Sequence, residues 1–167
     1  MMPTPIPSQG PRRWGRAQDR AINDPYKRPD KLHEPTVCPQ CGAVYHHGRW
    51  QWSDRPAGAH EATCQACQRI NDDYPAGIVT IGGNFATLHK DEILHIVRRQ
   101  EATEKPEHPL NRIIAITDEP AQITVTTTDI HLPHRIAEAL KRAFDGTLSL
   151  QYDENGYFLR ATWHRDD

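Results

Sequence analysis

Four cysteines fall in two pairs of identical spacing, Cys38-Pro39-Gln40-Cys41-Gly42 and Cys64-Gln65-Ala66-Cys67, with 22 residues between the pairs and no other cysteine in the chain. Two residues between sulfurs let the backbone turn as a tight knuckle that aims both thiols at one point. Two such knuckles supply the four tetrahedral ligands of a closed structural zinc site. Gly42 follows the second sulfur, where a positive φ is often needed, and Pro39 stiffens the knuckle while giving up a donor the site does not require. A disulfide pair, a redox dithiol or an iron centre would draw on the same side chains. The spacing favours a four-cysteine zinc ribbon, with one zinc per chain held by Cys38, Cys41, Cys64 and Cys67.

The rest of the sequence bears on that choice through its compartment. No apolar run approaches the ~20 residues of a membrane span. The opening Met1-Met2-Pro3-Thr4-Pro5-Ile6-Pro7 lacks the apolar core of a secretory signal. A cytoplasmic protein is therefore expected, and paired cysteines in a reducing cytosol read as metal ligands.

Net charge is −2, which by itself gives no mandate for nucleic acid, but the charge is unevenly placed. Residues 1–31 hold seven basic and three acidic residues (net +4), leaving 13 basic and 19 acidic (net −6) for the remainder. Residues 1–35 also contain seven of the 14 prolines and almost no apolar periodicity. Such a segment buries too little surface to offset its ordering entropy, so a disordered, extended basic arm is expected. Arg12, Arg13, Trp14, Arg16, Lys27 and Arg28 place cations beside aromatic rings, with Tyr26 among them. Arginine reaches phosphate and a ring stacks on an unpaired base, so the arm could fold onto RNA. The alternative is a tail whose Trp14 and Tyr26 dock on its own domain.

Residues 36–75 read as the ribbon. Ala43-Val44-Tyr45 and Arg49-Trp50-Gln51-Trp52 have strand content around a His46-His47-Gly48 turn, and Trp50 and Trp52 would share one strand face. A unit this small has little core, so metal and an aromatic ring are expected to supply most of its stability. His46, His47 and His60 read as surface residues, since four cysteines already complete a site. Asn71 to Gly77 reads as a hinge in which Asp72 and Asp73 are solvated.

Residues 76–167 read as an α+β domain. Ile78–Ile81 is a strand stopped by Gly82-Gly83, which lacks the Lys-Ser/Thr of a phosphate loop. Phe85 to about Gln100 carries Leu88, Ile93, Ile96 and Val97 near helical spacing, with acids early and arginines late. Arg112–Thr117 and the β-branched run Gln122–Thr128 make a hairpin across Asp118-Glu119-Pro120. A helix over Leu132–Phe144, closed by Gly146, precedes two alternating runs joined by Asn155-Gly156, a strong hairpin signal. The order β-α-β-β-α-β-β implies a two-layer domain with a mostly antiparallel sheet, a ferredoxin-like variant with an added edge strand.

Outside the ribbon, reactive side chains gather only at Thr126 to Arg135. Amides at a helix start attract anions, and His134 and Arg135 would add to the pull, so Thr128, His134 and Arg135 are candidate phosphate or RNA-backbone contacts, alongside Arg49 and Trp50 of the ribbon. A capped helix start with solvated histidines is the plainer reading, and a small metal or catalytic site at Asp129, His131 and His134 a third. No serine or carboxylate pair is nominated for catalysis.

Cys38 to Gly42, Cys64 to Cys67 followed by Arg69-Ile70 and a Pro-Ala-Gly turn, and Ile123 to Thr128 leading into Arg135-Ile136-Ala137 together define a resemblance. Over roughly residues 36–150 the sequence looks like a short bacterial protein that resembles the zinc-ribbon N-terminal part of the nonsense-mediated-decay-three family, zinc-containing adaptors for nuclear export of the large ribosomal subunit. The resemblance implies zinc at the four cysteines, no catalytic activity, and a ribosome- or RNA-facing role. Those adaptors carry more cysteine pairs and longer C-terminal modules, and a bacterium has no nucleus, so export is not carried over. The expected function is a non-catalytic zinc protein associated with the ribosome or other RNA. The alternatives are a protein-interaction module or small regulator and, behind it, a small metalloenzyme.

Overall fold

The structure is a computed structural model and describes Tyr26 and residues 32–167. Arg12, Arg13, Trp14, Arg16, Lys27 and Arg28, and with them most of the expected arm, lie outside the described residues.

The first unit is a small sheet of β1 (Thr36–Val37), β2 (Val44–His46), β3 (Arg49–Gln51) and β4 (His60–Glu61), in the order β3-β2-β1-β4. β2 and β3 form the expected hairpin, and its tip is His47-Gly48. Both tip residues have positive φ (53° and 78°), the conformation that matches strand twist in a two-residue turn. Trp50 stands opposite Tyr45 across this hairpin, whereas Trp52 lies beyond the end of β3.

Beyond the second knuckle the chain is helical as far as Asp72, which takes in the first two residues of the expected Asn71–Gly77 hinge. Cys64 caps a helix, α1 (Gln65–Asp72), and its sulfur accepts from the Cys67 amide at 3.4 Å. A Cys-x-x-Cys spacing is also the spacing of a helix cap and its third residue, so one motif closes the knuckle and starts the helix. Asp73 ends it in the left-handed conformation (φ 49°).

The larger unit contains β5 (Gly77–Gly82), α2 (Asn84–Leu88), α3 (Lys90–Glu104), β6 (Ile113–Asp118), β7 (Gln122–Thr127), α4 (His131–Phe144), β8 (Thr147–Tyr152) and β9 (Leu159–His164). The expected first helix is broken at His89, and Leu88, read as part of its core stripe, is 80% exposed at the break. Ahead of this helix Gly83 lies against the C-terminal strand's exit: a Cβ on Gly83 would sit 2.0 Å from the Arg165 carbonyl oxygen. That oxygen accepts from the Phe85 amide at 3.1 Å. The Gly-Gly pair therefore serves close backbone approach.

The sheet order is β6-β7-β5-β9-β8. Three of its four pairings are antiparallel, while β5 and β9 are parallel. The last strand enters the sheet beside β5 and leaves β8 at the edge. The β8–β9 hairpin forms as expected, through a loop in which the Asp153 carboxylate accepts from the Tyr157 and Phe158 amides at 2.9 and 3.4 Å.

Alternate strand residues face α3 and α4. Val79, Ile81, Ile123, Val125, Ala161 and Trp163 meet Ile93, Val97, Ile136 and Leu140 in one buried core. Trp163 is fully buried, sits among Phe85 and Phe144, and donates its ring N–H to the Asp145 carbonyl at 2.6 Å. The register sets Thr117, Thr124, Thr80, Thr162 and Ser149 in one row across all five strands of the opposite, helix-free face.

Candidate metal centre

The two knuckles converge. One ligand sulfur from each of Cys38, Cys41, Cys64 and Cys67 lies within 4.8 Å of every other, and among the described residues no other group of metal-ligating side chains does so. Cys38, Cys64 and Cys67 are buried and Cys41 is half-buried. The four could hold a metal ion. Cys41 and Cys64 sulfurs stand 3.8 Å apart. That matches the edge of a tetrahedron with metal–sulfur arms of about 2.3 Å, which is about 3.8 Å, and is far beyond the ~2.05 Å of a disulfide. All four cysteines are free thiols.

Local folding aims them. Gly42, at φ 84°, lets its own amide return to the Cys38 carbonyl at 2.8 Å, and the Cys38 amide reaches the Ala43 carbonyl at 2.8 Å. The Cys64 amide donates to the Cys38 sulfur at 3.3 Å. Burial works against ionising Cys38, but amides of Cys64, Cys41 and Gln40 outweigh it and bring its pKa down to about 7. Burial pushes the Cys64 and Cys67 thiols up. Trp50 and Leu110 pack against the cluster.

A cation from the other unit completes the surroundings. Arg112, the residue just before β6, is 8% exposed. Its Nη2 donates toward Cys64 at 3.1 Å, Cys67 at 3.4 Å and Cys41 at 3.7 Å. Its Nε is the one buried side-chain nitrogen or oxygen among the described residues without a hydrogen-bond partner. Desolvation works against the charge on Arg112, but the facing cysteines outweigh it and hold the guanidinium protonated. Sequence alone places Arg112 in a strand and gives it no further role, because a single arginine ahead of a β-branched run carries no signal of a partner 71 positions away.

The other candidate residues occupy different places. Arg49 is exposed in β3 and Trp50 half-buried against Tyr45 and the cysteine cluster. Thr128 is buried, and its hydroxyl accepts from the Arg112 amide at 2.9 Å and donates to the Leu110 carbonyl at 2.6 Å, a structural clamp. The start of α4 is occupied by the chain's own carboxylate: Asp129 accepts from the His131 amide at 2.9 Å and the Leu132 amide at 3.2 Å. Arg135 pairs with Glu104 at 2.8 Å and His134 lies 3.3 Å from Glu138. Asp129, His131 and His134 are not gathered into a ligand set. Burial raises the Asp129 carboxyl to about 7, against the pull of its two amide donors, and lowers the pKa of His131.

Tyr26 docks on the ribbon. Its hydroxyl donates to Asp72 at 2.9 Å, and the buried Arg69 guanidinium lies 4.3 Å from its ring centre while donating to the Tyr74 carbonyl at 3.0 Å. Among the described residues no helix is long and apolar enough to cross a membrane. Compared with known proteins, the chain matches no family model, no curated protein and no solved structure.

Proposed function

We propose that the chain is a zinc-structured, non-catalytic contact module whose basic arm engages RNA, the ribosome included. The observation that carries the metal part is the convergence of four thiols within 4.8 Å of one another, with backbone amides aimed at two of the sulfurs. Zinc is the ion that an all-cysteine, closed, redox-silent site suits best. A metal bound there consumes every thiol, Asp129 is spent on the start of α4 and His134 lies beside Glu138, which supports a role without catalysis. For RNA, the support is the arm's arginines and Trp14 together with the family resemblance; Tyr26 is instead docked against Asp72 and Arg69 of the ribbon.

One observation favours a protein partner instead. The strand residues on the helix-free face of the large sheet include a hydroxyl row with Arg160 and Gln151 and no Phe, Tyr or Trp on which bases could stack. The two readings separate in one preparation: the protein purified from cells, with metal and RNA measured on the same sample. Bound RNA that dissociates steeply with salt, and is lost on deleting residues 1–31, supports the arm's role. A single protein retained after nuclease treatment, with no RNA, overturns it in favour of the second reading.

A further inference from the structure

Arg112 poses a problem that its own unit does not solve. A guanidinium taken out of water needs an anion, and one left unpaired is strongly destabilising. The groups within reach of Nη2 are the sulfurs of Cys64, Cys67 and Cys41, all from the ribbon. Four neutral thiols would not offset the cost. Four thiolates around a divalent ion would, because that centre keeps a net negative charge of about two. A site with histidine ligands would have less charge to neutralise, so the all-cysteine ligand set and the buried arginine suit each other.

The arginine is also held rigidly from behind. Its amide donates to the Thr128 hydroxyl and its carbonyl accepts from the Thr128 amide, both at 2.9 Å, which fixes it to the end of β7. Leu110, two residues earlier, packs on the cysteines, and Trp52 from the ribbon donates its ring N–H to the Lys105 carbonyl at 2.8 Å. The 105–112 segment is thus the seat on which the ribbon rests.

We propose that Arg112 is the counterion of the metal–thiolate centre, so that filling the ribbon's site and docking the ribbon on the α+β domain are one linked equilibrium. The inference rests on the metal reading above. By linkage, whatever metal gains from Arg112 the docked arrangement gains from metal. Arg112 is a positioning residue here: it reaches the centre only through the sulfurs.

The test uses the full-length chain, wild type, Arg112→Met and Arg112→Lys. Zinc affinity is measured by competition with a chromophoric chelator, and amide exchange is followed with and without zinc. Arg112→Met weakens zinc by about 10–100-fold at unchanged stoichiometry, the usual cost of losing an outer partner of a metal ligand. Arg112→Lys falls between, since it keeps the charge but not the planar fork. In the wild type, stripping zinc exposes the Arg112 and Thr128 amides to exchange while those of Val79 and Ala161 stay protected. Should Arg112→Met fail to fold, the wild-type exchange measurement decides alone. An Arg112→Met affinity within about twofold of wild type, or unchanged Thr128 protection on stripping zinc, overturns the counterion role and leaves the metal site standing. A wild type that binds no zinc removes both.

Discussion

The two sheets of this protein solve the same problem by different means. The large sheet buries a full face under two helices, with Trp163, Ile81, Ile123, Leu140 and their neighbours in one apolar cluster. The small sheet has strands of two or three residues, and the cluster behind it consists of Cys38, Cys64, Cys67 and Ala66, with Cys41, Trp50 and Leu110 at its margin. Burying apolar area stabilises by about 25 cal/mol per Å², and the ribbon has little such area to remove from water. The large unit therefore folds on packing, and the small one has little besides its four-cysteine cluster to draw on.

The comparison breaks first, and most visibly, by removing metal. A structural zinc site contributes about 10–16 kcal/mol to the fold that carries it. Stripping zinc from the full chain is expected to abolish amide protection across β1–β4 and α1, while the β5, β7 and β9 amides remain slow. Equal loss in both units would show that the domain is not self-sufficient.

Striking the large core does the converse. Trp163→Ala empties the most voluminous buried site and leaves the Asp145 carbonyl without its donor. A loss of about 3–5 kcal/mol in urea unfolding of the domain is expected, with zinc affinity changed far less. A parallel collapse in zinc affinity would mean that the ribbon has no stability of its own even when metal-bound.

The same contrast explains what could be read in the sequence. The cysteine pairs, the His47-Gly48 turn, the β-branched run at Gln122–Thr127 and the Asn155-Gly156 hairpin are local patterns, and the chain folds locally as they say. What was illegible is nonlocal. A hairpin's sequence says nothing about which of its strands meets β5, and here it is β9. Leu88 fits a helical stripe by spacing but falls at the end of the short helix that stops at His89, where it is exposed. Arg112 reads as an ordinary strand residue until the fold brings a ribbon to it. At the candidate site, the four cysteines were legible and the arginine that faces them was not. Thr128 and Arg135 looked like surface anion contacts because the partners that occupy them, Leu110, Arg112 and Glu104, lie 16 or more positions away in sequence.

The smallest effect separates the two units by the sign of their pH dependence. Zinc binding needs deprotonated thiols, so the ribbon loses its metal as pH falls. Asp129 acts in the other direction. Its carboxyl is raised from 3.8 to about 7 in the fold. Between those values the folded chain holds a proton that the unfolded chain has released, so this group's contribution falls as pH rises from about 4 to 7 and is level above. His131, whose pKa is lowered by burial, opposes this at the acid end, because its neutral folded form is penalised once the unfolded imidazole takes up a proton. Comparing wild type with Asp129→Asn isolates the carboxylate. The asparagine keeps a cap for α4 and cannot ionise, so its stability relative to wild type is expected to improve by about 2–4 kcal/mol between about pH 4 and 7.5, read from urea unfolding of the domain. A difference that stays constant over that range would place Asp129 in contact with water or a cation, with an ordinary carboxylate pKa, and would remove the opposition between the two units.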